Sequence, residues 1–310
     1  MKIATIDVGT NTTLLLVAEA TSISDVRVLK DRAEVTRLGR GIGTDGRLGA
    51  EGVARTLKVL AEYADDARVL GAQVKAIGTE ALRRAPNADE FLVPATKILG
   101  GPLEVIGGVR EAALTFLAAV TSFPELSARP IVVIDIGGGS TEVIVSQGGL
   151  VQSRVSLPVG AVRLTERFVK HDPPMAAEAA DIDAEMRTLL QDIPRRAPGD
   201  ERYELIGTAG TVTTLAAMAL GLRTYDPDVV HGHHLDRSTL AAQMARLQAA
   251  TQAERETFDG LDPRRADVIF AGARILNAFV EHLDADHVVV NDRGIRWGLF
   301  YETLAQSQPA

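Results

Sequence analysis

Apolar and polar positions alternate and cluster along the chain in an order that occurs twice. Apolar and β-branched runs at residues 2–7, 12–19 and 26–38 predict three consecutive strands. Residues 51–72 carry Val53, Leu57, Leu60, Ala61, Ala64 and Arg68 at spacings near 3.6, which predicts an amphipathic helix with those positions on one face. A strand at "QVKAIGT", a helical stretch from Thr79 interrupted at Pro86, a short strand at "LEVI" and a helix after Gly107 and Gly108 complete the first series.

Past "SFPELSARP" the series restarts with strands at "PIVVIDI", "TEVIVSQ" and "LVQSRVSL". Helices are expected at about 161–170 and 175–195, then a strand at "YELIGT" and a helix opening in "AGTVTTLAAMALG". A long helical pattern over 262–283, a strand at "HVVVND" and a terminal helix follow. Each half therefore reads βββαβα, the second with helical insertions. The expected domains are 1–124 and 125–310, since Pro124 and Pro130 break the pattern, with a terminal helix at about 294–306 able to pack back on the first.

The two halves share a motif. "IDVGTNTTLLLV" near the start returns as "IDIGGGSTEVIV", with Asp7, Gly9, Thr13 and Val17 answered by Asp135, Gly137, Thr141 and Val145 at a constant offset (135 − 7 = 128). An Asp at a strand end followed by a glycine turn suits phosphate. Glycines allow close approach, and successive N–H groups can form an anion nest. Gly9, Gly137, Gly138 and Gly139 are the candidate turn positions, and Thr10, Asn11, Thr12, Ser140 and Thr141 would add side-chain donors. Asp7 and Asp135 would repel phosphate unless a hard divalent cation, Mg²⁺ or Mn²⁺, sits between them. A third turn, "IGTAGTVTT", offers Gly210 and Thr211 at a helix N-terminus, where unpaired N–H groups and the helix dipole favour an anion.

Composition narrows the setting. A net charge of −8 argues against nucleic acid as a partner, so an anionic ligand needs a local basic patch. The chain has no cysteine, which excludes disulfides, thiolate catalysis and Cys-based zinc sites. Asp7 and Asn11 break the apolar run that could imitate a leader, and no other run approaches a membrane span. A cytoplasmic protein with no membrane partner is expected.

The chain resembles the exopolyphosphatase/guanosine pentaphosphate phosphohydrolase (Ppx/GppA) family. The resemblance rests on "IDVGTNTTLLLV", "IGTEALRRAPN", "GGVREAALTFL", "VIDIGGGSTEVIV", "LPVGAVRLTERF", "IGTAGTVTTLA", "DPRRADVIFAGARIL" and "NDRGIRWGL", in family order over nearly the whole chain. It implies an α/β fold of duplicated actin-like (ribonuclease H-like) βββαβα domains with a cleft between them. Long members of the family continue into further helical domains. A chain limited to the two-domain core is expected to grip long polyphosphate less well.

Residue roles follow from the resemblance. Glu111 matches the family's catalytic glutamate, although on the residues alone an exposed Glu favoured by the helix dipole is the plainer reading. The stripe Val109, Ala113, Phe116, Leu117 and Val120 would turn Glu111 away from the core. Glu142 is the second catalytic candidate, or a polar outward position on a strand. Asp135, then Asp7, are the metal candidates, and a monovalent cation is left open. Arg83 matches the family's phosphate-binding arginine, with Arg37, Arg40 and Arg110 completing a basic patch and Arg84 solvated. His231, His233 and His234 read as a polar loop rather than metal ligands. Two departures stand out: Arg110 occupies a commonly acidic position, and the first turn reads "GTNT" where "GSNS" is commoner.

The expected activity is release of terminal phosphate from inorganic polyphosphate, short chains included, and from guanosine pentaphosphate. The alternatives are an ATP-dependent kinase or ATPase of the same superfamily and a non-catalytic alarmone-binding regulator. Oligomeric state is left open, a homodimer among the options.

Overall fold

The computed structural model describes residues 1–42 and 46–307; residues 308–310, which close the expected second domain, lie outside the described residues. The chain divides into two units, Met1–Thr121 with Gly294–Ala310, and Ser122–Arg293. The first unit therefore takes back the terminal helix (Ile295–Gln306), which packs on its first two strands.

The first unit contains β1 (Lys2–Val8), β2 (Thr12–Ser22), β3 (Asp25–Val35), α1 (Ala50–Leu70), β4 (Gln73–Gly78), α2 (Glu80–Arg84), α3 (Asp89–Leu99), β5 (Leu103–Val105) and α4 (Gly108–Ser122). Among the described residues its sheet has the order β3-β2-β1-β4-β5. β1 runs antiparallel to β2 and parallel to β4. After its first residue β1 is buried throughout, because helices cover both faces of a parallel centre. β3 stops at Val35, short of the expected 38, because Arg37 takes a left-handed conformation (φ 53°) that ends extended pairing.

The second unit contains β6 (Ile131–Ile136), β7 (Thr141–Gln147), β8 (Leu150–Leu157), α5 (Ala161–Phe168), α6 (Ala176–Leu190), β9 (Glu204–Thr208), α7 (Ala209–Ala219), α8 (Pro227–Val230), β10 (His234–Asp236), α9 (Arg237–Ala249), α10 (Gln252–Arg255), α11 (Ile269–Leu283) and β11 (His287–Asn291). Its sheet order is β10-β11-β9-β6-β7-β8. Read from the edge, β8-β7-β6-β9-β11 repeats β3-β2-β1-β4-β5, with β10 added. The sheet order is thus duplicated, as the repeated motif predicts, and it puts Asp7 and Asp135 at equivalent ends of the central strands β1 and β6.

Three local expectations are corrected. The buried positions of α1 are Gly52, Thr56, Leu60, Tyr63 and Ala67, while Ala61 and Arg68 are exposed. Gly52 lies close to the backbone of Arg37 and Leu38, and the Tyr63 hydroxyl donates to Thr13 O at 3.1 Å, which rotates the inward face. The long pattern from 262 does not start as helix. Asp262 instead caps a 3₁₀ turn (Pro263–Arg265), accepting from Arg264 N–H, and α11 begins at Ile269. Finally, His234 opens strand β10 rather than lying in a loop, stacking on His287 with ring centroids 4.3 Å apart.

Candidate active site

The two glycine turns are built alike. Gly9 N–H donates to Thr12 O at 3.1 Å, and Gly137 N–H donates to Ser140 O at 3.0 Å. A Cβ on Gly9 would lie 2.9 Å from Thr12 O, and one on Gly137 would lie 3.0 Å from Ser140 O. Neither glycine has a left-handed φ, so close approach, not unusual backbone conformation, calls for glycine here.

Each turn is also held from behind. In the first unit Gly39 N–H donates to Thr10 O and Arg37 N–H to Asn11 O, both at 2.9 Å. In the second, Ala161 N–H donates to Gly137 O at 3.0 Å and Val162 N–H to Gly138 O at 2.9 Å, so the turn's carbonyls satisfy the first donors of α5. A trans peptide sets its N–H opposite its C=O. The Gly138 and Gly139 N–H groups therefore point away from α5, and that of Asn11 points away from the 37–39 segment. Two further glycines permit this packing. A Cβ on Gly160 would lie 2.5 Å from Gly138 C and O, and one on Gly39 would lie 2.4 Å from Thr10 Cγ2. Sequence reasoning missed both, because their separation differs from the 128-residue offset of the motif.

In the first unit, α2 serves two neighbours. Glu80 accepts from the Thr10 hydroxyl at 3.3 Å and from Arg84 at 3.1 Å, so Arg84 is paired rather than merely solvated. One turn along the same short helix, Arg83 donates to Ile106 O at 2.7 Å and lies 3.4 Å from Glu111 Oε2. The Arg83 side chain keeps 29% of its surface exposed, enough to meet a ligand. Asp7, at the end of β1, is buried between Leu14 of β2 and Ile77 of β4.

Glu111 does not turn away from the core. It lies on the buried face of α4 with Ala112, Leu114, Thr115, Ala118 and Ala119, whereas Val109 is 64% exposed. The reason is a second packing partner. Leu114 joins Ile77 and Ile106 from the sheet side and Ile295 and Leu299 from the terminal helix, and Ala118 meets Trp297 and Phe300. The helices approach so closely that a Cβ on Gly298 would lie 2.0 Å from Leu114 O. Arg110 forms a two-pronged ion pair with Glu302 of the terminal helix, so it does not contribute to a phosphate-facing patch. Arg37 is half-buried in its left-handed turn, and Arg40 is exposed.

In the second unit Asp135 and Glu142 are direct cross-strand partners on β6 and β7. Both are buried, at 8% and 1% exposure. Two carboxylates directly opposite one another repel, and burial sharpens the cost. Glu142 is thus neither outward nor solvated as the strand pattern alone suggested. Its second cross-strand partner is Ser156 of β8, whose hydroxyl donates to Glu142 Oε1 at 2.7 Å. The first unit has Leu14 where the second has Glu142, so the repeat is asymmetric in its chemistry. Ser140 is buried within the turn. Thr141 is a correction: fully buried, its hydroxyl donates to Val159 O at 2.7 Å and serves the fold, not a phosphate.

The third turn opens α7, with Ala209 in the left-handed region (φ 69°). A Cβ on Gly210 would lie 2.0 Å from a terminal nitrogen of Arg265, so the guanidinium rests on this glycine. Burial pushes the Arg265 guanidinium down from its ordinary value, opposed by Asp262. A cation at the positive end of a helix makes this a place for an anion. The motif did not reveal Arg265, which the 3₁₀ turn brings there from 55 residues away (265 − 210). Thr211 is buried against Gly272 of α11. Among the histidines, His231 stacks on Phe123 at 4.9 Å, and burial lowers its proton affinity.

Among the described residues no group of three or more His, Asp or Glu is placed to hold a metal. Among the described residues no helix is long and apolar enough to cross a membrane.

Comparison with known proteins gives a consistent result. The chain matches the Ppx/GppA phosphatase family over residues 16–307. It is 33% identical over 311 residues to exopolyphosphatase 2 of Mycobacterium tuberculosis, covering 96% of this chain and 97% of that one. It is also 33% identical to the guanosine-5'-triphosphate,3'-diphosphate pyrophosphatase of Vibrio vulnificus, covering 98% of this chain but 59% of that longer protein. The crystal structure of the Aquifex aeolicus member of the Ppx/GppA family superposes with a TM-score of 0.84 at 32% identity, covering 100% of this chain and 99% of that one. With the paired turns, the duplicated sheet order and these likenesses, the chain belongs to the Ppx/GppA phosphatase family.

Proposed function

We propose that this protein is a metal-assisted phosphoanhydride hydrolase that releases terminal phosphate from inorganic polyphosphate, short chains included, and from guanosine pentaphosphate. The observation that carries the reading is the buried Asp135–Glu142 pair beside a turn whose Gly138 and Gly139 N–H groups point away from α5. Two adjacent hard oxygen donors fit a divalent cation such as Mg²⁺ or Mn²⁺. Asp135 and Glu142 would hold it, and Asp7 is the corresponding candidate in the first unit. A bound cation supplies charge neutralisation on the phosphoryl oxygens.

The chain's own groups do the rest. Backbone N–H groups of Asn11, Gly138 and Gly139 bind phosphate oxygens, as does the first turn of α7 at Gly210 and Thr211 with Arg265 beside it. Arg83 grips the reacting phosphate with its exposed edge while its other contacts fix its direction. Glu111, held against Arg83, orients the attacking water.

One panel tests the proposal: phosphate release with and without Mg²⁺ from short polyphosphate, long polyphosphate, guanosine pentaphosphate and ATP, for wild type and Glu111→Gln. The expected result is Mg²⁺-dependent release that falls by about 10²-fold or more in Glu111→Gln. Full release by that variant would overturn the catalytic assignment. ADP formation that requires an added acceptor would point to a kinase, and tight alarmone binding without release would point to a regulator.

A further inference from the structure

We infer that Ser156 is a positioning residue that fixes the Glu142 carboxylate for the divalent cation. This rests on the proposed role of the Asp135–Glu142 pair. Asp135, Glu142 and Ser156 occupy successive Cα-partner positions across β6, β7 and β8, so their side chains stand in a row on one face of the sheet. The Ser156 hydroxyl donates to Glu142 Oε1 at 2.7 Å. The serine hydroxyl is the donor of this bond, so its proton is directed at the carboxylate.

The last torsion of a Glu side chain is broad, and a carboxylate on a strand can turn about it with little resistance. A donor at one oxygen removes that freedom and sets the direction of the other. Serine suits the task because it is neutral. A lysine or arginine there would orient Glu142 equally well, but its charge would compete with the cation for the same oxygens. The position is also rigid: Ser156 lies one residue before Leu157, which is buried in the core of the second unit, and pairs with Glu142 inside a ladder. An outer partner of a metal-binding carboxylate acts through that carboxylate, and losing it costs about 10- to 100-fold in metal affinity or activity.

The test uses the full chain and Mn²⁺ as the probe, with affinity read by electron paramagnetic resonance in the absence of substrate. Ser156→Ala is expected to weaken Mn²⁺ binding by about 10- to 100-fold. Phosphate release should then need correspondingly more Mg²⁺, while kcat at saturating Mg²⁺ stays within about threefold of wild type. Ser156→Thr, which keeps the hydroxyl on a strand-compatible side chain, should restore the affinity. Ser153→Ala on the same strand serves as a control for general weakening of β8, and thermal melts check that each variant folds. Mn²⁺ affinity within twofold of wild type in Ser156→Ala would overturn the inference, as would a loss that Ser156→Thr does not rescue. Glu142→Gln separates the two levels. If it abolishes Mn²⁺ binding while Ser156→Ala does not, the carboxylate pair stands and Ser156 falls. If Glu142→Gln binds Mn²⁺ as wild type does, the carboxylate-pair reading itself falls.

Discussion

Replacing Gly160 with alanine asks whether the second phosphate turn depends on the segment packed behind it. The added Cβ would lie 2.5 Å from Gly138 C and O and 2.6 Å from Gly139 N. Ordinary contact begins near 3.4 Å, so the turn and the start of α5 must separate by about 0.9 Å (3.4 − 2.5). Every atom in the way is backbone, so nothing can rotate aside. Overpacking of this kind costs about 1–3 kcal/mol, or roughly 2–12 °C in Tm for a unit of this size. The functional cost should be larger, because misplacing a positioning group by ~1 Å costs on the order of 10²-fold in rate. Phosphate release from short polyphosphate, followed colorimetrically at saturating Mg²⁺, should therefore lose about 10- to 100-fold in kcat/KM.

Two companion variants sharpen the comparison. Gly210→Ala meets the far end of the Arg265 side chain rather than backbone, so stability should change less than in Gly160→Ala. Gly101→Ala meets nothing within 4 Å and should match wild type. Gly160→Ala with kcat/KM within twofold of wild type and an unchanged Tm would refute the argument that the α5-anchored turn places the phosphate donors.

Other parts of the structure make separate predictions. Thr141→Val leaves Val159 O without its hydroxyl partner, so urea unfolding should show a loss of about 1–3 kcal/mol, with KM for polyphosphate unchanged. Glu302→Gln removes one charge from the pair joining α4 to the terminal helix, and should lower stability by at most about 1 kcal/mol while leaving phosphate release intact. Burial raises the Glu178 carboxyl, but hydrogen bonds from His171 and from the Met175 and Lys170 N–H groups outweigh it and hold it at about 2, against 4.5. Its contribution is therefore present above about pH 4.5 and lost as pH falls toward 2, so the stability gap between wild type and Glu178→Gln in urea titrations should narrow over that range.

Except for elements such as the 3₁₀ turn at Pro263–Arg265 and strand β10, the residues alone determined the element types, the βββαβα duplication and the placing of Asp7 and Asp135 at equivalent strand ends. These depend on local periodicity and on a motif that repeats at a fixed offset, and both are properties of short stretches. The pairing of Asp135 with Glu142 was within reach too, since a tight turn between two strands sets their register. The tertiary structure decided which face of α4 is buried. Its apolar residues are spread around the helix, and the partner that selects the inward side, the terminal helix, lies some 180 residues downstream. That one packing contact buries Glu111 and withdraws Arg110 to Glu302. Likewise, Arg265 reaches Gly210, and Gly39 and Gly160 brace their turns, through contacts between segments distant in sequence. Local patterns carry the period of an element. What an element packs against, and so which of its side chains are available for chemistry, depends on distant segments that no local pattern encodes.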